Sequence, residues 1–206
     1  SNQRSSDEQG RRLLLLARGY DRLNVLDSAA ARYLDAAQRF PTLRDWLALR
    51  AAAVTTDSTD RKRLYASLTL SGASGRAPRV EATARERSGD TLAAISAYQR
   101  LGARGTALRL RWQIARDNPA KLAVRDELLT MFGGAATTAT SREALDLLDL
   151  LRPPLDRDQR LLTARRAASL GRAAQAVTHY AAAAKDGALA SSDRLRFGTA
   201  LGDIGR

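Results

Sequence analysis

The stretch Leu13-Leu14-Leu15-Leu16-Ala17-Arg18-Gly19-Tyr20, followed by Ala29-Ala30-Ala31-Arg32-Tyr33-Leu34-Asp35-Ala36 and closed by Pro41, decides the fold. Leu13, Leu16, Ala17 and Tyr20 recur at helical spacing, and Ala29, Tyr33 and Ala36 repeat that spacing a few residues on. Two amphipathic helices joined by a tight turn satisfy both patterns. The small residues let two backbones approach closely, and the tyrosines fill the space beside them. Pro41 ends the second helix, because a proline has no N–H to continue the hydrogen-bond ladder.

The pattern returns twice. After Gly89 come Ala94, Tyr98 and Leu101; after Gly171, at the same offsets, come Ala176, Tyr180 and Ala183. In the first pair those slots hold Asn24, Ala29, Tyr33 and Ala36. This small/large order is similar to that of the tetratricopeptide (TPR) repeat, a helix–turn–helix unit of about 34 residues. The intervening stretches fit it poorly. The reading is therefore a degenerate all-α array: a right-handed α-solenoid of stacked antiparallel helix hairpins, a TPR-like superhelix of about twelve helices without β-sheet. A compact helical bundle is the alternative.

Composition agrees with an all-α chain. Of 206 residues, 44% are hydrophobic but only 5% aromatic, so Ala and Leu carry the packing. Closely packed helices suit that composition better than strands, which favour Val, Ile, Thr and Tyr. Residues 1–9 are polar and read as a disordered tail opened by a cloning scar, Ser1-Asn2, leaving 10–206 as a single helical-repeat solenoid. Further helix boundaries come from Asp27 or Ser28, Asp57 or Ser58, Asn118-Pro119 and Asp156 as caps, with Thr140 and Glu143 as a capping box. Ser71–Ala77 and Gly133–Ala139 read as loops.

The formal charge is +12. Of the 34 basic residues only Lys62, Lys121 and Lys185 are lysine, leaving 31 arginines. Such a field suits an anionic polymer, a nucleic acid or an acidic membrane surface. A GC-rich genome, which enriches Arg and Ala together, is the reading that the lack of a dense basic cluster favours. The arginines are scattered, and the aromatics sit at helix-packing slots rather than interleaved with basic runs, which disfavours nucleic acid. Without cysteine there is neither a disulfide framework nor a thiolate metal site.

Catalytic chemistry finds no foothold. His179 is the only histidine, so metal-ligand spacings fail and a nucleophile–base pair would depend on it alone. Glu81 and Glu86 share no helical face with a second carboxylate. Asp146 and Asp149 alternate with leucines as a solvated stripe, and Gly133-Gly134 lacks the Lys-Ser/Thr of a phosphate loop. No cofactor or metal is expected. Trp46 and Trp112 fall outside the repeat slots. With the flanking Arg44 and Arg50, and Arg109 and Arg111, they are the candidate lining of a ligand or partner groove.

The run Ala36-Ala37-Gln38-Arg39-Phe40-Pro41-Thr42-Leu43-Arg44-Asp45-Trp46-Leu47-Ala48-Leu49-Arg50-Ala51-Ala52 resembles the superhelical, non-catalytic N-terminal region of soluble lytic murein transglycosylases. Arg85-Glu86-Arg87-Ser88-Gly89-Asp90, with Ala94 and Tyr98, resembles the internal hairpins of that family. The resemblance implies a periplasmic accessory domain that contacts peptidoglycan glycan strands, its arginines meeting the carboxylates of peptide stems. The family's catalytic glutamate lies in a following lysozyme-like domain, in a Glu-Ser motif with Gly-Leu-Met-Gln downstream. Neither motif occurs here, so the resemblance implies a catalytic domain elsewhere in the same full-length chain. A generic TPR-like protein–protein adaptor and an RNA-binding helical repeat are the other readings.

Overall fold

The computed structural model describes residues 2–133 and 136–205, and among them every regular element is helical, with no strand. Ser1 of the expected scar and Gly134-Ala135, inside the expected Gly133–Ala139 loop, lie outside the described residues. The chain divides into two compact units, 1–107 and 108–206. The first holds α1 (Asn2–Arg22), α2 (Leu26–Arg39), a 3-10 turn at Pro41–Leu43, α3 (Arg44–Val54), α4 (Ser58–Ala66), the single turn α5 (Ser71–Ser74), α6 (Ala77–Arg87) and α7 (Thr91–Arg100). Helix α8 (Arg104–Ile114) gives residues to both units. The second holds α9 (Asn118–Thr130), α10 (Thr138–Leu151), α11 (Arg157–Ser169), α12 (Ala173–Lys185) and α13 (Ser191–Asp203).

Helix α1 packs against α2, α6 against α7, and α11 against α12. Each of these pairs turns the same corner. Asn24, Gly89 and Gly171 have φ of +58°, +80° and +70°. The amide after each donates to the carbonyl five residues back: Val25 to Tyr20 at 2.9 Å, Asp90 to Arg85 at 3.0 Å, Arg172 to Ala167 at 2.9 Å. The left-handed residue itself donates to the carbonyl three back. This is the Schellman arrangement, which satisfies the carbonyls left over at a helix end. The repeat slots fill as their chemistry requires. Ala29, Ala94 and Ala176 are completely buried, with Tyr33, Tyr98 and Tyr180 beside them. Ala36 and Ala183 are buried too, whereas Leu101 in the corresponding slot is 40% exposed. A Cβ on Gly171 would meet nothing within 4 Å, so only its backbone conformation demands glycine. Gly171→Ala should therefore destabilise the chain by about 1 kcal/mol, read as a shift in the urea unfolding midpoint, from the left-handed backbone alone.

Residues 2–9 of the expected tail form the start of α1, which begins at Asn2. Gly10 explains the extension: a Cβ there would lie 2.7 Å from Phe40 Cε2, so the absent side chain lets the helix run on under the Phe40 ring. Arg12 pairs with Glu8 one turn back at 2.7 Å. Several caps shift by a few residues. Val25, without a side-chain bond, precedes α2, so Asp27 and Ser28 fall inside the helix. Asp117 rather than Asn118 caps α9, and Thr137 rather than Thr140 caps α10, accepting from the Thr140 amide; no capping box forms there. Asp57 and Asp156 cap as expected, Asp156 in a full capping box with Gln159. Ser71–Ala77 contains α5 and the start of α6 rather than loop alone.

The core of the first unit is built from Ala17, Ala29, Ala30, Tyr33, Ala36, Ala37, Leu47, Ala51 and Val54. Beside it Arg61 of α4 is only 4% exposed. It donates to the carbonyls of Thr55 and Thr56, both at 2.9 Å, and to Glu81 of α6 at 3.2 Å. Arg85 donates to the other Glu81 oxygen at 2.7 Å. Burial opposes ionisation of Glu81, but the two guanidiniums hold its carboxyl below the usual range. Removing Arg61 leaves the Thr55 and Thr56 carbonyls without their donor and Glu81 with a single guanidinium. Arg61→Ala should thus cost about 3 kcal/mol, where Ala at the exposed Lys62 changes the urea midpoint by less than about 0.5 kcal/mol equivalent.

Candidate functional site

The first unit contains a cleft of about 940 Å3. Helix α1 contributes Leu14, Arg18, Asp21 and Arg22; α3 contributes Trp46, Leu47, Leu49, Arg50 and Ala53; Arg76, Arg79 and Val80 come from the approach to α6 and its first turn. Tyr33 reaches it from α2. Five arginines therefore converge on one concavity against a single carboxylate.

That carboxylate is already engaged, Arg87 lying 3.4 Å from Asp21. Among the described residues no ion pair or hydrogen bond engages the guanidiniums of Arg18, Arg22, Arg50, Arg76 or Arg79. Several other basic side chains of the unit do pair with acids, as in Arg32–Asp35 and Arg63–Asp60. The Tyr33 hydroxyl registers the crowd of charges: burial pushes its pKa up, Asp21 adds to that, and Arg50, Arg18 and Arg87 oppose it.

Two adjacent residues of α3 organise the cleft wall. Asp45, 5% exposed, accepts hydrogen bonds from the Thr69 amide at 2.6 Å, the Leu70 amide at 2.7 Å and the Thr69 hydroxyl at 2.9 Å. The Leu70 and Thr69 amides hold its carboxyl below the ordinary value. This clamp fixes the segment that leads to Arg76. Trp46, one residue on, receives that segment: a Gly72 Cβ would lie 3.5 Å from its ring, and the Arg76 guanidinium sits 5.0 Å above the ring centroid.

Of the groove residues expected from the sequence, Trp46 and Arg50 line the cleft together. Arg44 is exposed and outside the lining. Trp112, Arg109 and Arg111 belong to the second unit. There Trp112 packs against the core with Lys121 5.6 Å over its ring, Arg111 pairs with Glu127, and Arg109 donates to Gln113 at 3.4 Å. Arg18, Arg22, Arg76 and Arg79 were not singled out in the sequence. Their spacings, four on α1 and three across the start of α6, place each pair on one helical face. No pattern in the sequence, however, brings those two faces together with α3.

The second unit has its own hollow of about 480 Å3, lined in part by Phe132, Arg165, Arg166 and Arg196. Its arginines are committed to structure. Arg165 grips the buried Asp193 with two hydrogen bonds of 2.8 and 2.6 Å, Arg196 lies 3.9 Å from the same carboxylate, and Arg166 donates to Ser141 at 2.7 Å. Of the two hollows, the first unit's cleft is the one whose arginines are left for a ligand.

His179 lies on α12, its side chain 14% exposed and its Nε2 3.7 Å from Asp149. Burial lowers its pKa below the ordinary value; Asp149 partly restores it and Arg160 acts with burial. A depressed folded-state pKa means that the unfolded chain takes up the proton first. The contribution is present above a pH of about 6.5 and is lost as pH falls below it. Urea midpoints should accordingly decline between pH 7 and pH 5.5, with a shallower decline for His179→Gln.

Among the described residues no cluster of three or more His, Asp or Glu side chains is placed to hold a metal, and no helix is long and apolar enough to cross a membrane. Fold and site define an all-helical protein built from short-cornered helix pairs, with an arginine-lined cleft in one unit. No protein-family model, no curated protein and no solved structure matches the chain.

Proposed function

We propose that this chain is a non-catalytic binding and scaffolding domain of a cell-wall-acting lytic murein transglycosylase. In this reading its helix pairs stack as a TPR-like right-handed solenoid in the periplasm, and it contacts peptidoglycan or shapes access to a separate catalytic domain. One observation carries the reading. The Ala36–Ala52 stretch that resembles the family supplies Leu43, Trp46, Leu47, Leu49 and Arg50, the α3 side of the cleft in which five guanidiniums are left unpaired. Such a surface attracts a polyanion, and long-range attraction of that kind weakens as salt screens it.

A protein–protein adaptor is the second reading, and it too has an observation behind it. Helix α1 exposes Leu15 and Leu16, and Leu23 just past its end is exposed with them beside Gly19, an apolar surface next to the core-packed Tyr20. An RNA-binding repeat rests on net charge alone.

The purified chain should sediment with insoluble peptidoglycan at low salt and be largely released at physiological ionic strength, without producing soluble muropeptides. Release of muropeptides would overturn the non-catalytic assignment. Failure to sediment at low salt would favour the adaptor, as would a full-length gene lacking both a signal peptide upstream and a Glu-Ser-containing domain downstream.

A further inference from the structure

We infer that the first unit's cleft is a carboxylate-recognition site that takes an acidic peptide segment, with Arg76 held ready for it by Trp46. The inference deepens the proposed function, and it rests on that reading for the source of the peptide, the stems of the wall.

Three properties of the cleft select this chemistry. The first is the number and freedom of the guanidiniums. Arg18 and Arg22 on α1, Arg50 on α3, and Arg76 and Arg79 at the start of α6 surround one concavity, and none spends its donors on a protein acceptor. Each offers a planar fork that matches the two oxygens of a carboxylate. Their origin in three elements spreads the forks around the cleft, which suits several carboxylates along a chain better than one compact anion.

The second is the state of Trp46. A tryptophan in a cleft of a sugar-binding protein serves by offering a bare ring face. Here one face lies beneath Arg76 and the benzo edge abuts Gly72. The ring thus acts on the guanidinium: the cation–π contact steadies Arg76 while leaving its N–H edges free. A neutral glycan can accept hydrogen bonds from the arginines but lacks the charge that makes such pairs strong, and it finds this ring face already taken.

The third is Asp21. One carboxylate sits inside the ring of positive charge, with Tyr33 close enough to feel it. Even with Arg87 beside it, this carboxylate breaks the run of positive charge that a continuous row of phosphates would need, whereas a peptide can place a backbone amide there. Single-stranded nucleic acid also relies on successive aromatic platforms, and of the two aromatic lining residues described Tyr33 is buried and Trp46 lies beneath Arg76.

Calorimetric titration of the whole chain with hexaglutamate, a neutral chito-oligosaccharide and a uridine hexanucleotide tests the assignment. Hexaglutamate should bind, the neutral sugar should not, and the oligonucleotide should bind more weakly than the peptide at physiological salt. Arg50→Gln and Arg79→Gln are exposed changes that should leave the helical circular dichroism intact. Each should weaken hexaglutamate by about tenfold, the loss of one charge-assisted pairing. Trp46→Leu should also weaken it, and Arg44→Gln, outside the cleft, should not. Hexaglutamate affinity unchanged in both arginine variants overturns the site. Tighter binding of the sugar or the oligonucleotide overturns the ligand class. Peptidoglycan sedimentation separates the two proposals. If hexaglutamate binds in the cleft but the chain never sediments with the wall, the site stands and the cell-wall source falls. If sedimentation survives Arg50→Gln and Arg79→Gln undiminished, the wall is met elsewhere and the cleft is not its reader.

Discussion

A guanidinium buried to 4% exposure cannot be left without partners, and much of the first unit is arranged so that Arg61 has them. Taking a charge out of water costs several kcal/mol, and only well-placed acceptors offset it. Arg61 finds them in the two carbonyls just past the end of α3 and in Glu81 on α6. The end of one helix, the body of another and α4 between them are thereby tied to one point. Arg50 lies one turn before the end of α3, and Arg79 lies two residues before Glu81. The spacing of these cleft arginines thus depends on an interaction that takes no part in the cleft itself. A charge placed inside the fold sets where the charges outside it stand.

Trp46 and Asp45 divide a related task. Neighbours on a helix point about 100° apart, so one can turn inward and clamp the Thr69-Leu70 amides while the other faces the cleft and receives Arg76. The clamp explains why a segment of Ser, Gly and Ala, which has little side-chain packing of its own, adopts one path. Without the Asp45 carboxylate those amides would need another acceptor, and the Arg76 side chain would lose its defined origin.

The sequence made the repeated corners legible because their causes are local. Asn24, Gly89 and Gly171 occupy the same slot by spacing, and all three adopt the left-handed conformation that such a slot demands. The small/large order after them predicted buried alanines and tyrosines correctly, because it follows from how closely two helices can approach. Caps were harder. Asp117 and Asn118, or Thr137 and Thr140, are neighbouring residues of equal capping chemistry, and tertiary packing decides between them. Polarity alone reads as a tail over the first residues, where α1 already begins at Asn2. Gly10, whose missing side chain admits Phe40, is invisible to hydrophobic patterning. For the cleft, Trp46 and Arg50 could be chosen because they are close in sequence. Arg18, Arg22 and Arg79 join them only through helix packing, and no spacing rule reaches across it.

The Schellman corners also bear on how the chain acquires its structure. Each closes within six residues, so a helix pair needs no distant partner to begin forming. The ties that follow are still short in sequence, 20 residues from Arg61 to Glu81 and 24 from Asp45 to Thr69. Loop-closure entropy rises with such separations, and chains dominated by near neighbours fold quickly. During synthesis, which proceeds from the N-terminus, the α1–α2 corner is complete before α6 has left the ribosome. The tie between Asp21 and Arg87, 66 residues apart, is far less local, linking the first helix of the unit to the sixth. Since Asp21 stands in the cleft, the site depends on a longer loop closure than the corners that frame it.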